Sequence, residues 1–318
     1  MAKTTCIALR TRAGIRRSAV VVAAVTAFAG CGESTALHGR QGPTLEVVAA
    51  SYPVAQSVDL IGEGKAHATD LVPPGSDPFA FRPSSAQDAE IQQAGLLILA
   101  GQAVQPASYS GSGAAKQKLD LGTVASEPYY WLDPPAMRQV VPAIEAAMER
   151  ADPGDAGAFR AGARALEVEL DSTAIDYQST LSTCPRRTIF AADDAFAGVA
   201  QRYDLDYHSF GHSFGHSFGH SLGDTLGTSA TPDPAKISGE SASVRATGAT
   251  AVFAETWVPA QTVTSVAAAA GVKVRTLDTL LGPPPGGWPR QATYINLLES
   301  NLGRLNDALG CAGSSSGP

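Results

Sequence analysis

The sequence predicts an α/β fold of two lobes, each with a parallel sheet, joined by a long helical segment. Short apolar runs typical of buried strands alternate with helix-compatible stretches in two separate parts of the chain. These runs lie at 45–51, 68–74, 96–101, 188–193, 251–257 and 273–279. Residues 135–182 between the two groups have helical spacing instead, interrupted at Asp152-Pro153-Gly154. A last amphipathic helix is predicted around Tyr294 to Leu309.

The predicted organisation follows from these runs and from the polar segments around them. With 318 residues, the chain has enough material for one large domain or two of ordinary size. We assign residues 1–30 to a leader, 31–44 to a flexible tether, 45–134 to the N-terminal lobe, 135–182 to the linking helix, 183–311 to the C-terminal lobe with a histidine-rich insertion at 208–223, and 312–318 to a disordered tail.

The first 30 residues indicate export. Residues 1–17 are basic, and the uncharged apolar run at 18–30 has the length of a signal peptide rather than of a membrane-spanning helix. The run ends Phe28-Ala29-Gly30-Cys31, which resembles the lipobox of bacterial lipoproteins, in which the cysteine is acylated. We therefore predict an extracytoplasmic protein anchored to the cell membrane through Cys31. An ordinary secreted protein with an isolated cysteine is the alternative.

Two cysteines remain after the leader and the lipidation site are set aside, Cys184 and Cys311. Disulfides persist in the exported compartment, so we predict that these two cysteines pair. The alternative is a pair of buried free thiols.

Charge and motifs exclude two broad classes of function. The formal net charge is −7, and because the first 30 residues hold five basic residues and no acid, the rest of the chain carries −12. An acidic body of this kind argues against nucleic acid as a partner and favours a cationic ligand. The chain also lacks a phosphate-binding Gly-Lys-Ser/Thr loop, a His-Glu-x-x-His zinc helix and a dinucleotide-binding fingerprint, so we predict that it is not an enzyme.

Three segments carry a resemblance to a known family. LVPPGSDPFAFRPS at 71–84, EPYYWLDP at 127–134 and FAADDAF at 190–196 are similar in order and spacing to segments of the metal-binding lipoproteins of zinc and manganese ABC importers. ASYP at 50–53, AVFAETW at 251–257 and LDTLLG at 277–282 also match. The resemblance implies two small α/β lobes bridged by a rigid helix, one divalent metal ion held between them as cargo by two ligands from each lobe, and a membrane permease as partner. We expect a monomer.

The ligand positions that the resemblance implies are only half preserved. The two histidines of the N-terminal lobe fall on Phe79, which has no donor atom, and on Tyr129, whose phenol is a poor zinc ligand at neutral pH. The two positions of the C-terminal lobe fall on Asp193 and Asp278. These carboxylates are the predicted metal ligands, and they favour a hard cation such as manganese. Glu255 is the predicted accessory ligand.

Further acids and an alternative remain open at this site. Asp194 and Glu127 are additional candidates for completing the coordination. In the alternative, Asp193 and Asp278 are solvated or capping carboxylates of a cleft that has lost its metal, and Phe79 and Tyr129 form an aromatic wall. Such a cleft could admit a small organic or chelated ligand.

A repeat of His-Ser-Phe-Gly units supplies four closely spaced imidazoles, His208, His212, His216 and His220. This composition favours metal contact, with binding that is lost as the pH falls through roughly 6.5. We predict an accessory metal collector. The alternative is a mobile surface loop that binds metal adventitiously.

Taken together, the sequence predicts an extracytoplasmic solute-binding lipoprotein of an ABC importer, with a zinc- or manganese-type divalent ion as cargo. The alternatives are a family member that has lost the interlobe metal site and binds another small ligand or a protein, and a surface lipoprotein of the adhesin type.

Overall fold

The N-terminal lobe is built on a parallel four-stranded sheet. The computed structural model describes residues 44–78, 81–102, 104, 112–210, 234–284 and 286–312. The lobe contains β1 (Leu45–Ala49), α1 (Tyr52–Gly62), β2 (Ala66–Asp70), α2 (Ser85–Gln93), β3 (Leu96–Leu99) and β4 (Lys118–Asp120). The strand order is β2-β1-β3-β4. All four side chains of β3 are buried, as expected of a parallel strand covered on both faces.

The linking segment consists of two helices, α3 (Pro134–Ala151) and α4 (Ala156–Leu181), which pack against each other. The prediction of one linking helix over 135–182 is therefore corrected to a pair of helices. They separate at Asp152-Pro153-Gly154, where the sequence interrupts the helical spacing. The Asp152 carboxylate accepts a hydrogen bond from Gly154 N at 3.0 Å, which caps a short 3-10 turn over Pro153–Asp155.

The C-terminal lobe repeats the architecture of the first. It contains β5 (Thr188–Ala191), α5 (Ala197–Arg202), β6 (Asp206–Ser209), α6 (Pro234–Ala246), β7 (Ala251–Glu255), α7 (Gln261–Ala270), β8 (Lys273–Leu277) and α8 (Tyr294–Leu309). The sheet is parallel, with the order β6-β5-β7-β8, so the first strand of each lobe lies second in its sheet. The predicted two-lobed α/β fold is thus confirmed.

The long helix α4 contacts both lobes. It packs against α1 on one side and α8 on the other. Gly162 permits the first contact, because a Cβ at this position would lie 2.2 Å from the carbonyl oxygen of Ile61. In the second contact, the buried Tyr177 hydroxyl donates to the carbonyl oxygen of Leu298 at 2.7 Å. Helix α4 therefore packs against both lobes and links them.

A disulfide joins Cys184 and Cys311, at a sequence separation of 127 residues. It ties the chain just before β5 to the end of α8. Among the described residues, no helix is long and apolar enough to cross a membrane. The predicted leader and its lipidation site Cys31, the tether as far as residue 43, and the tail from residue 313 lie outside the described residues.

Candidate metal centre between the lobes

Acidic side chains gather where the parallel strands of the C-terminal lobe end. Glu255 is the last residue of β7, Asp278 follows β8 directly, and Asp193 lies two residues after β5. The carboxyl ends of parallel strands share one edge of a sheet, and ligands of open α/β sheets bind in the crevice outside that edge. All three side chains are buried, with 6% of Asp193, 2% of Glu255 and 4% of Asp278 exposed.

Asp193 and Glu255 form one acidic cluster with Tyr207 of β6. The Tyr207 hydroxyl donates to the main-chain oxygen of Asp193 and lies 2.9 Å from Glu255 Oε1. A phenol carries one proton, so when that proton goes to Asp193, the contact with Glu255 requires a proton on the glutamate. The other oxygen, Glu255 Oε2, is buried without a hydrogen-bond partner among the described residues.

Burial and neighbouring carboxylates raise the pKa values of these acids. Burial, followed by the Asp193 carboxylate, raises the pKa of Glu255 to about 8. Burial raises the pKa of Asp193 to about 7, and Asp194 adds to the rise, while the Asp194 N–H bond to Asp193 Oδ1 at 2.9 Å opposes it. A cation at this point would offset the repulsion and displace the protons.

Tyr129 brings the N-terminal lobe to the same cluster. Burial raises the pKa of its phenol well above the ordinary value, and the carboxylates of Glu255, Asp193 and Asp194 raise it further. The ring lies edge-on to Trp131 at 5.5 Å between centroids. Tyr129 is therefore a neutral aromatic group facing the acids, as the alternative of an aromatic wall expects. Phe79 lies outside the described residues.

Asp278 has a different set of neighbours. Its Oδ1 accepts hydrogen bonds from Leu280 N at 2.9 Å and from the Thr256 hydroxyl at 3.2 Å. Its Oδ2 accepts from the indole of Trp288 at 2.6 Å. Asn301 fixes the main chain here, donating to the Asp278 carbonyl at 2.8 Å and accepting from the Asp278 N–H at 2.9 Å. Both carboxylate oxygens are thus engaged within the protein, as a capping role predicts.

Tyr52 and Asp70 of the N-terminal lobe lie near Asp278. Burial raises the pKa of Tyr52 to about 12, with Asp278 and then Asp70 adding to the rise. Asp70 ends β2, and burial raises its own pKa to about 7 although its Oδ1 accepts a hydrogen bond from Val72 N at 3.0 Å. Tyr52, Asp70 and Trp288 were not predicted as site residues. Asp70 had a detectable signal, since it is an acid at the end of a strand.

The predicted ligands therefore divide into two groups. Asp193, Asp194, Glu255 and Tyr129 influence one another electrostatically, whereas the contacts of Asp278 run to Thr256, Leu280, Trp288 and Tyr52. Within the described ranges, no group of three or more His, Cys, Asp and Glu side chains has the arrangement of a metal site. The assignment of Asp193 and Asp278 as joint metal ligands remains a prediction.

Glu127 contacts α5 of the C-terminal lobe. Its carboxylate lies against Gly198, where an added Cβ would come within 1.4 Å of Glu127 Oε2. Burial raises the pKa of Asp133 to about 7, pairing with Arg202 of α5 lowers it, and Glu127 adds to the rise. Glu127 therefore takes part in a contact between the lobes, and its role in completing the metal site stays a prediction.

The first histidine of the repeat belongs to the sheet. His208 lies in β6, its Nε2 is 2.8 Å from Glu240 Oε2 of α6, and its ring lies 5.1 Å from the ring of Phe190. The predicted insertion at 208–223 thus begins inside a strand, and His208 is held by that strand. His212, His216 and His220 lie outside the described residues, so the collector role of the repeat stays a prediction.

Comparison with known proteins places this chain in a class of transport proteins. Residues 47–308 match the model of the family "Zinc-uptake complex component A periplasmic". The chain is 20% identical over 319 residues to the high-affinity zinc uptake system protein ZnuA of Bacillus subtilis, covering 91% of this chain and 96% of that protein. It is 24% identical over 204 residues to the manganese-binding lipoprotein MntA of Bacillus subtilis, covering 58% of this chain and 66% of that protein.

A solved structure agrees on the fold. The Zn(II)-bound ZnuA-like domain of Streptococcus pneumoniae AdcA superposes with a TM-score of 0.68 at 20% identity, covering 84% of this chain and 99% of that chain. The chain belongs to the zinc-uptake component A family, as the segments at 71–84, 127–134 and 190–196 predict. The family and the relatives together support an extracytoplasmic metal-binding component of zinc or manganese ABC uptake systems, which is a class of transport proteins and not of enzymes.

Proposed function

We propose that this protein captures a divalent metal ion between its two lobes and delivers it to an ABC permease in the membrane. The observation that carries the proposal is the buried pair of acids at the ends of β5 and β7. Burial and then the Asp193 carboxylate raise the pKa of Glu255, and Glu255 Oε2 has no hydrogen-bond partner among the described residues. Bringing two acids together in a buried position costs stability unless a cation joins them.

The donor atoms suggest the kind of cargo. Asp193, Asp278 and Glu255 offer carboxylate oxygen, and the family position of the second histidine holds a tyrosine. Oxygen donors suit manganese better than zinc, which prefers nitrogen and sulfur. We therefore propose manganese as the preferred cargo and zinc as the weaker one, with His208, His212, His216 and His220 as an accessory collector of metals that favour nitrogen.

Export and anchoring are part of the same proposal. The disulfide between Cys184 and Cys311 suits an oxidising compartment, and the leader and Cys31 would attach a monomeric protein to the outer face of the membrane. In that position the protein can meet a permease, and release of the cargo would need a shift between lobes that share the support of α4.

A second candidate function is supported by Asp278. Its two oxygens accept three hydrogen bonds from within the protein. In this candidate the interlobe site has lost metal binding, and the cleft beside Tyr129 takes a small organic ligand or a protein partner instead. The adhesin-type function remains a prediction from the sequence.

Calorimetric titration of manganese and zinc into the mature protein tests the proposal. We expect one-to-one manganese binding that is lost in Asp193→Asn and in Glu255→Gln and that persists when residues 211–223 are deleted. Asp206→Asn is the matched control, because Asp206 is an exposed acid on β6. Binding that disappears with the deletion and is indifferent to Asp193→Asn would assign the metal to the repeat. Absence of binding in every protein would favour the second candidate.

A further inference from the structure

Trp288 reaches from the metal-ligand position of one lobe to the other lobe. It lies in the segment between β8 and α8 of the C-terminal lobe, and its indole N–H donates to Asp278 Oδ2 at 2.6 Å. Its ring packs on the ring of Tyr52, at the start of α1 in the N-terminal lobe, with 4.4 Å between centroids. The Tyr52 hydroxyl contacts the carbonyl oxygen of Ala292 from the same segment at 3.4 Å. Trp288 therefore occupies the space between Asp278 and the N-terminal lobe.

The three groups that donate to the Asp278 carboxylate differ in conformational freedom. Leu280 N belongs to the turn that Asp278 itself begins, and Thr256 is fixed beside it by a 2.8 Å hydrogen bond between its hydroxyl and Thr279 N. Trp288 instead follows two glycines with positive φ, Gly286 at 99° and Gly287 at 78°. Glycine adopts such angles without steric cost and has the greatest conformational freedom of any residue. The indole is thus the donor that can leave without unfolding the strand ends.

The indole also blocks the oxygen that a cation would use. An indole N–H is a neutral donor, so it satisfies one lone pair of Asp278 and leaves the negative charge in place. Oδ1 is already shared between two donors, so Oδ2 is the oxygen with the single, exchangeable partner. A metal ion reaching Asp278 has to displace that partner.

We propose that Trp288 is a residue that sets the affinity of the site, because it competes with the cargo cation for Asp278 Oδ2. This inference rests on the proposed function in two respects, that the cargo is a divalent cation and that Asp278 is one of its ligands. A cation gains Asp278 as a ligand only when the free energy of coordination exceeds the free energy lost with the indole hydrogen bond and with the packing of the Trp288 ring on Tyr52. Trp288 thereby lowers the affinity of the site for every cation that uses Asp278 as a ligand.

Replacement of Trp288 by phenylalanine tests the inference, because Phe keeps a ring against Tyr52 and removes the N–H. Trp257→Phe is the matched control, since its indole donates to Gly282 O at 3.2 Å in the same region without contacting Asp278. Manganese and zinc affinities are measured by calorimetry on the full mature protein, with thermal unfolding to establish that each variant folds. We expect Trp288→Phe to bind manganese about tenfold more tightly, equal to the net value of one hydrogen bond to a charged group, and Trp257→Phe to bind as the unaltered protein does.

Further variants separate the possible failures. In an Asp278→Asn background the gain from Trp288→Phe is expected to vanish. If the unaltered protein binds manganese and Trp288→Phe binds no more tightly, or if Trp257→Phe gives the same gain, the inference is wrong and the proposed function stands. If neither the unaltered protein nor Trp288→Phe binds a divalent ion, the proposed function fails and the inference fails with it. Binding by Trp288→Phe alone supports the inference.

Discussion

Buried carboxyl groups at the ends of strands carry raised pKa values in both lobes. Burial brings the pKa of Asp70 and Asp193 to about 7 and that of Glu255 to about 8. In the unfolded chain these acids ionise near pH 4. Between about pH 4 and pH 8 these carboxyl groups hold more protons in the folded state than in the unfolded state. The free energy of unfolding therefore falls as the pH rises through this range. The protein is therefore expected to be more stable at pH 5 than at pH 8 when metal is absent.

Asp70→Asn tests this pH dependence of stability at a residue that is not a proposed metal ligand. The amide oxygen can still accept the hydrogen bond from Val72 N, while the charge that burial disfavours is gone. We expect the variant to be more stable than the unaltered protein by about 1–3 kcal/mol at pH 8, with the difference shrinking as the pH falls from 7 towards 4. Urea unfolding at a series of pH values measures it. Asp206→Asn, at an exposed position, should change the free energy of unfolding equally at every pH. A stability difference for Asp70→Asn that does not vary with pH would contradict the raised pKa of Asp70.

At the residue scale, the acids that follow strands could be predicted from the sequence. The aromatic residues that other elements contribute to the site could not. Asp193, Glu255 and Asp278 each follow an apolar run, which is a local pattern. Tyr52 and Trp288 meet only because two lobes are packed together, and no local pattern contains that contact. The contact of Glu127 with α5 could not be predicted for the same reason. Glu127 is adjacent in sequence to the Tyr129 segment, yet the packing of α5 on that segment turns it towards Gly198 and Arg202.

At the scale of elements, the close approach of α1 and α4 depends on one glycine. A Cβ at Gly162 would lie 2.2 Å from Ile61 O, whereas a Cβ at Gly157 of the same helix meets nothing within 4 Å. We expect Gly162→Ala to lower the free energy of unfolding by about 1–3 kcal/mol because the helices must separate. Gly157→Ala should raise it by up to about 1 kcal/mol, since alanine is the better helix former. Equal effects of the two changes in urea unfolding would contradict the packing described for α4.

The disulfide is the second element-scale constraint. It closes a loop with a sequence separation of 127 residues, for which the chain-entropy model gives an upper value of ~5 kcal/mol. The double variant Cys184→Ala, Cys311→Ala is expected to unfold at a much lower urea concentration than the unaltered protein. Reductant should lower the midpoint of the unaltered protein towards that of the variant and leave the variant unchanged. A midpoint insensitive to reductant would show that the thiols are free in solution.

Elements with strong apolar runs were predicted well, and polar edge strands were not. The bounds of α8 and the start of β1, β3, β5 and β7 agree with the apolar runs, because those strands and that helix face the core. The start of β8 also agrees, although most of its residues are exposed. β4 and β6 lie at the edges of their sheets, where a strand needs few apolar residues, and neither was predicted. This omission explains why His208 was grouped with a loop, since the repeat begins before β6 has ended.

At the scale of the whole molecule, the lobes are joined by more than the linking helices. The Trp131 indole donates to Thr279 O at 2.9 Å, and Tyr294 in turn donates to Trp131 O. The pairing of the buried Asp133 with Arg202 adds a charged contact. These bonds cross from one lobe to the other at buried positions, so a large opening of the cleft would break several of them together. We infer that the shift between the lobes that releases the cargo is small and is accompanied by local movement, of which the displacement of Trp288 is the proposed example.

The two-lobed arrangement could be predicted from the alternation of strand and helix patterns, and the site only in part. Acids on the C-terminal lobe are visible in the sequence, but their division into an Asp193–Glu255 cluster and a separately bonded Asp278 depends on side-chain hydrogen bonds. Sequence spacing does not determine those bonds, because Tyr207 and Trp288 come from other elements.

The proposed function requires that acids of the C-terminal lobe hold a divalent ion beside Tyr129. An anomalous diffraction map of the mature protein crystallised with manganese would locate this ion. We expect a manganese peak within coordination distance of the Asp193 and Glu255 carboxylates, with the Trp288 indole moved away from Asp278 if Asp278 is a ligand. A map with manganese at the histidine repeat and none between the lobes would contradict the proposed function.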